Sequence, residues 1–378
     1  MGVATGAHAL HDGYTDLIYV MLPIWQAEFG LSYAAIGLLR GMFAGTMAGF
    51  QIPAGMLSER LGVPLVLAAG TALAGLGYCL AVFVGGYWAL VAILLVAGLG
   101  ASTQHPLASA LVARAYAGAR SLGALGTYNF AGDLGKMALP AAASLLVVIM
   151  PWRPALALLG LIGLVAAVAI FAVTPRYPAE THKPAAKPEG AAGAVRGGFP
   201  VLLSIGVIDS ATRMGFLTFL PFLLAAKGAS LPTIGLALTL VFVGGAAGKL
   251  VCAWIGARIG VVATVWLTEG FTALGILALL PLRLELALLL LPVIGVALNG
   301  TSSVLYGSVP LMVPPEKRTR AFGVFYTGTI GSGAVAPVVY GLIGDAVGVP
   351  LALTVVAALV MATLPLVLLI RRQVATAV

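Results

Sequence analysis

Charge is what this chain has least of: 12 acidic and 20 basic side chains among 378 residues, against a hydrophobic share of 61%. So few charges cannot hydrate a soluble surface, and a mean hydropathy of +1.09 places most of the chain in lipid. Cysteine is nearly absent as well. Cys79 and Cys252 both fall in apolar runs, which excludes a disulfide framework and leaves them as small packing residues. There is no Walker sequence: Gly248-Lys249 lacks the glycine five residues earlier and the Ser or Thr after the lysine, so direct drive by ATP is not expected. Nucleophile elbows, zinc motifs and thiol redox motifs are missing too, so neither an enzyme nor a metal or cofactor is expected. The N-terminus has no basic n-region and carries Asp12 and Asp16 in its first apolar stretch, which argues against a cleaved signal peptide.

What the chain does have is 49 glycines and 22 prolines, suited to closely packed and locally broken transmembrane helices. Apolar runs of about 20 residues or more predict twelve spans. They cover 7–29, 33–57, 63–84, 87–113, 121–149, 153–173, 199–226, 231–255, 261–281, 285–312, 318–346 and 349–371. The expected organisation is an N-terminal six-helix bundle (1–173), a cytoplasmic linker (174–198, with four prolines and mixed charge) and a C-terminal six-helix bundle (199–378).

Basic residues set the orientation. The linker side holds Arg60, Arg114, Arg120, Arg176, Lys183, Lys187, Arg196, Arg258, Lys317, Arg318, Arg320, Arg371 and Arg372; the other side holds only Arg153, Lys227 and Arg283. This bias predicts both termini in the cytoplasm, and it assigns the net charge of +8 to one membrane face rather than to nucleic acid. The halves also repeat. At a shift of 198, Pro23 matches Pro221, Ile36-Gly37 matches Ile234-Gly235, and Arg60 and Gly62 match Arg258 and Gly260. At a shift of 200, Gly100, Ser102, Arg120 and Gly123 match Gly300, Ser302, Arg320 and Gly323. Two pseudo-symmetric bundles in parallel orientation are expected, with a substrate site between them near the bilayer midplane.

Nine charges lie well inside the predicted spans, away from their ends: Asp12, Asp16, Arg40, Asp133, Lys136, Asp209, Arg213, Lys249 and Glu269. At roughly 3 kcal/mol for each charge facing lipid, they would cost more than the ~5–15 kcal/mol stability of an ordinary domain. They must pair or face water. Helix periodicity places His8, Asp12, Asp16, Tyr19 and Gln26 on one face of the first span, and Asn129, Asp133, Lys136, Pro140 and Ser144 on one face of the fifth. His8 and Asp12, near the cytoplasmic end, are either solvated or part of the pathway; Asp16 is either a structural hydrogen-bonding group or a proton carrier. Asp133–Lys136 and Asp209–Arg213 have the spacing of intrahelical pairs. Ser102, His105 and Ser109 share a face in the fourth span, as do Asn299, Ser303 and Tyr306 in the tenth. Lys249 and Glu269 are each ten residues from Ile259, the centre of a hairpin, which predicts a structural salt bridge.

After the second span, Gly55-Met56-Leu57-Ser58-Glu59-Arg60-Leu61-Gly62 resembles the loop motif of the major facilitator superfamily, roughly G-x-L-A-D-R-x-G-R-K. Glu59 stands where Asp is usual, and Val63-Pro64 replace the basic pair. The resemblance implies the all-α major facilitator fold and a gating role for Gly55, Glu59, Arg60 and Gly62. His8, Asp12, Leu22-Pro23, His105-Pro106 and Arg120 with Gly123 are similar to the fosmidomycin-resistance branch of drug exporters. That family's antiporter motif, roughly G-P-x-x-G-G, is replaced by Ala138-Leu139-Pro140-Ala141-Ala142. The expected protein is a monomeric secondary transporter of the bacterial inner membrane, moving a small molecule in exchange for protons. Asp16, Asp12, Asp133 and Asp209 are the candidate proton carriers. Arg40, Tyr19, Gln26, Asn129, Lys136, His105, Arg213, Asn299 and Tyr306 are the candidate substrate ligands. Proton-coupled uptake of an organic anion and a non-transporting sensor are the alternatives.

Overall fold

The computed structural model describes residues 1–116, 119–174, 198–314 and 317–375. The predicted linker, apart from its two ends, and the side chain of Arg120 lie outside them. The described residues are almost entirely helical, in the order α1 (Gly2–Phe29), α2 (Tyr33–Gly49), α3 (Gln51–Leu61), α4 (Val63–Cys79), a short 3-10 turn (Leu80–Phe83), α5 (Tyr87–Ala101), α6 (Gln104–Ala115), α7 (Ala119–Ile149), α8 (Trp152–Val173), α9 (Gly198–Ala226), α10 (Leu231–Leu279), α11 (Leu284–Met312), α12 (Arg318–Val347), α13 (Val349–Met361), α14 (Thr363–Leu369) and α15 (Arg371–Ala375).

Three predicted spans are each broken into two helices, and proline explains where. Pro53, Pro106 and Pro365 each sit in the first turn of the second piece, where a missing N–H costs nothing, and the breaks fall three to four residues earlier, at Phe50, Ser102–Thr103 and Ala362. Four residues back is where a proline ring collides with a carbonyl and leaves it without a donor. The range α10 holds two spans, which meet at a kink where Gly260 (φ 81°, ψ 166°) leaves the helical conformation.

Ten segments among the described residues are long and apolar enough to cross a membrane. The two predicted spans outside that set are α1, whose first half carries two histidines and two aspartates, and the broken pair α2 and α3, of 17 and 11 residues. With them the expected twelve traverses are accounted for. The loop motif is more helical than predicted: α3 continues through Leu61, and only Gly62 (φ 86°, ψ 144°) leaves the helix.

The chain divides into two compact units, Met1–Thr181 with Ala229–Thr239, and His182–Gly228 with Leu240–Val378. In the first, α1 packs along α7 and α4 along α8. Glycines allow the first approach: a Cβ on Gly135 would lie 1.8 Å from the Ala9 carbonyl oxygen, and one on Gly13 would lie 2.8 Å from that of Gly135. In the second unit α9 is the central helix, packed against α11, α12, α13 and α14. The repeat seen in the sequence returns in the backbone. Gly30 and Gly228, and Gly62 and Gly260, are pairs at the same shift of 198, and all four have positive φ.

Candidate functional site

In the first unit the polar face of α1 is buried rather than solvated. His8 is 4% exposed, and Asp12 and Asp16 are 6% exposed, which removes the solvated alternative for His8 and Asp12. Asp12 collects partners from three helices. His8 Nε2, one turn earlier on α1, lies 3.4 Å from Oδ2; Lys136 Nζ on α7 lies 3.3 Å from Oδ2; His105 Nε2 on α6 lies 3.6 Å from Oδ1. The break at Ser102–Thr103 starts α6 just before His105 and so brings it to this cluster. The spacing on α7 predicted Asp133 as the partner of Lys136, and the fold adds Asp12, one helix away. Gly132 makes the room, since a Cβ there would meet Asp12 Oδ2 at 2.6 Å and His8 Cε1 at 2.7 Å.

The histidines of α1 have defined roles. His8 Nδ1 is 2.8 Å from the Tyr128 carbonyl oxygen, which can only accept, so Nδ1 carries a proton and donates it. The His8 ring also stacks on that of Tyr128 at 4.0 Å. His11 Nε2 lies 2.9 Å from Thr71 Oγ1, whose own hydroxyl donates to the Leu67 carbonyl at 2.8 Å; His11 therefore donates from Nε2 and ties α1 to α4. Neither His11 nor Thr71 was singled out from the sequence. A histidine one turn from His8 and close to Asp12 in register was the signal available.

Arg40 on α2 is enclosed, at 1% exposure, with its guanidinium 5.0 Å from the Tyr19 ring centre and 6.0 Å from that of Phe43. Asp16 acts on the same guanidinium. Asp16, the tertiary acid available from α1, is thus close to Arg40, an interior cation with no acid within a turn of its own helix. Tyr19 is fully buried, Gln26 half-buried and Asn129 exposed. Asp133 is buried on α7. Glu59 and Arg60 are exposed at the end of α3.

In the second unit Asp209 (4% exposed, α9) and Glu269 (1% exposed, α10) lie within hydrogen-bonding reach of one another. Arg213, one turn along α9, acts on both, and Thr301 on α11 reaches Glu269. Thr301 Oγ1 also donates to Thr268 Oγ1 at 2.7 Å. Groups acting on Glu269 thus come from α9 and α11, in addition to the hairpin neighbour Lys249 expected from the sequence, which is half-buried on α10. Two enclosed carboxylates this close repel one another when both are ionised, and the Arg213 guanidinium acts against that repulsion. Tyr306 lies 3.3 Å from Thr329 Oγ1, and Asn299 Nδ2 donates to the Gly295 carbonyl at 3.2 Å; both residues are half-buried on α11.

Multiple apolar traverses enclosing networks of ionisable side chains describe a polytopic membrane protein. A model of the Major Facilitator Superfamily matches residues 5–206 and 202–377, and the chain belongs to that family. The Fosmidomycin resistance protein of Escherichia coli (strain K12) is 28% identical over 152 residues, 40% of this chain and 37% of that protein, so the match spans little more than a third of the relative's length. Among solved structures, a bacterial homologue of the human lysosomal transporter Spinster, in an inward-facing and occupied conformation, superposes with a TM-score of 0.80 at 14% identity, covering 98% of this chain and 96% of that one. The nucleoside transporter NupG superposes with a TM-score of 0.81 at 12% identity, covering 96% and 98%. At such identities these likenesses establish the fold alone.

Proposed function

We propose that this protein is a proton-coupled secondary transporter that exports a small drug-like or organic-anion solute by alternating access, without enzymatic turnover. The observation that carries the coupling is the contact between Asp209 and Glu269. Two enclosed acids that share one proton beside a single arginine can release or take up that proton when the helices around them move, at small cost in net charge. Asp16 beside Arg40 is a second carboxylate that changes in access would uncover, and Asp133 on α7 remains a candidate. The partly exposed polar groups His105, Lys136, Arg213, Asn299 and Tyr306 are the candidate solute contacts. Arg40 and Tyr19, as enclosed as they are, would reach a solute only in another state, and the half-buried Gln26 and exposed Asn129 complete the candidate set. Gly55, Glu59, Arg60 and Gly62 form the candidate gate.

The likeness to the Fosmidomycin resistance protein supports export of an antibiotic-like compound. The cations Lys136 and Arg213 favour an anionic solute, and uptake of an organic anion by proton symport is the second reading. A bacterial inner membrane, cytoplasmic termini and a monomer complete the proposal. The test is transport by the purified chain in proteoliposomes with an imposed pH gradient, against a panel of antibiotics and organic acids first screened in a strain lacking and then expressing it. Solute movement against its gradient that vanishes with the pH gradient is expected. Counterflow without any response to pH would remove the proton, and no flux of any compound that the protein binds would favour a sensor.

A further inference from the structure

His8 Nε2, His105 Nε2 and a carboxylate oxygen of Asp12 lie within 4.8 Å of one another in the first unit. We propose that these three side chains form a binding site for a divalent transition-metal ion of the zinc type, with the remaining coordination position open to water. The site shares His105 and Lys136 with the candidate solute contacts, and metal binding there does not depend on transport.

The first reason is the tautomer of His8. Its Nδ1–H is committed to the Tyr128 carbonyl at 2.8 Å, so in the neutral ring Nε2 carries the lone pair, and that lone pair faces the Asp12 carboxylate. Two electron-rich groups facing each other call for a cation beside them: without an ion the Lys136 ammonium, 3.3 Å from Oδ2, fills that place, and a metal ion between the two would bind both directly. A ligand histidine whose second nitrogen donates to a backbone carbonyl is the usual outer-shell arrangement of a metal site, and stacking on Tyr128 at 4.0 Å holds the ring plane.

The second reason is spacing. His8 Nε2 is 3.4 Å from Asp12 Oδ2 and His105 Nε2 is 3.6 Å from Oδ1, so each imidazole faces its own oxygen of the carboxylate at more than a good N–H···O hydrogen-bond length, an arrangement that an ion held by both oxygens would bridge. Bonds of about 2.0–2.1 Å around a tetrahedral zinc ion put neighbouring ligand atoms about 3.3–3.4 Å apart, close to both values. His8 and Asp12 at i, i+4 also share one helix face, as paired ligands on helices do. Two nitrogens and one oxygen suit zinc, cobalt and nickel better than calcium or magnesium.

The third reason is access. The side chains of His8 and Asp12 are 5% and 8% exposed, whereas His105 is 43% exposed, so the cluster has two fixed walls and one open, movable side. Rotation of His105 toward His8, whose ring centres are 5.4 Å apart, would close the remaining distance. Lys136 tunes the site. Its ammonium, 3.3 Å from Asp12 Oδ2, supplies the positive charge that the metal would bring, and must give way when the ion enters.

Titration of the purified full-length chain in detergent with Co²⁺, followed by its visible ligand-field bands and competed with Zn²⁺, tests the site. One ion per chain with a tetrahedral-type spectrum is expected. His105→Ala and Asp12→Asn should each weaken binding at least about tenfold. Lys136→Met should tighten it by about tenfold or more, since it removes a like charge within a few ångströms of the ion. His105 is half-exposed, so its replacement leaves the fold standing, and equal melting temperatures of parent and variant would verify this. Affinity that is the same in the parent and in His105→Ala, or the absence of ligand-field bands in both the parent and Lys136→Met, would overturn the proposal and leave the cluster as a proton network.

Discussion

Gly132 is the floor on which Asp12 rests: a Cβ at that position would come within 2.6 Å of Asp12 Oδ2, and within 2.7 Å of the His8 ring. Three residues on, the neighbour of Gly135 is a backbone oxygen at 1.8 Å. Side-chain ends can turn away, whereas a carbonyl moves only with its helix. Gly135→Ala should therefore cost about 1–3 kcal/mol or more by pushing α1 from α7, seen as a lower midpoint of thermal unfolding in detergent. Gly132→Ala should unfold close to the parent while altering proton-driven flux. Equal melting of all three proteins would mean that the helices do not meet as closely as described.

Asp209 and Glu269 make opposite predictions depending on where the proton is. If they share one, Glu269→Gln exchanges a neutral acid for a neutral amide of the same shape, and stability should change by less than about 1 kcal/mol. If Glu269 instead neutralises Lys249, the same substitution strands a buried cation and costs about 3–5 kcal/mol. Infrared spectroscopy gives a second readout. A protonated carboxylic-acid carbonyl band should be present in the parent at neutral pH and absent from both Glu269→Gln and Asp209→Asn.

Arg40→Gln should destabilise the first unit by about 3–5 kcal/mol, because it removes the cation beside the buried Asp16 carboxylate. Adding Asp16→Asn should return most of the loss, since the double variant has no charge left to compensate. Arg40→Lys should fall in between, because an ammonium cannot reproduce the flat guanidinium contact with Tyr19. Melting temperatures that are additive across the cycle would show that the two residues do not interact.

Gly62 and Gly260 share a backbone conformation that L-residues avoid, so alanine at either should cost about 1–3 kcal/mol. Gly55→Ala, in a helical position with open space around it, should be neutral or slightly stabilising. A ranking of unfolding midpoints in which Gly55→Ala falls lowest would contradict the turn at Gly62.

Much of the architecture was legible in the residues because its causes are local. Apolar length sets the spans, prolines set the breaks at Phe50, Ser102–Thr103 and Ala362, and a near-constant shift exposes the repeat that Gly30/Gly228 and Gly62/Gly260 carry into the backbone. The polar face of α1 was equally visible, since helical periodicity alone aligns His8, Asp12, Asp16 and Tyr19.

Partnership was not legible, because pairing depends on which helices touch and at what height. Asp12 gains Lys136 and His105 from chain segments about a hundred residues away, and only the packing of α1 on α6 and α7, close at Gly132 and Gly135, brings them within 3.6 Å. Glu269 and Lys249 have equal depth in a hairpin by count, and that count could not show that Asp209 on α9 also acts on Glu269. Sequence alone determined that buried charges must find partners in this protein, because an unpaired charge in lipid is too costly. Tertiary structure decided who the partners are, because rotation and register between helices leave no trace in the order of residues along one of them.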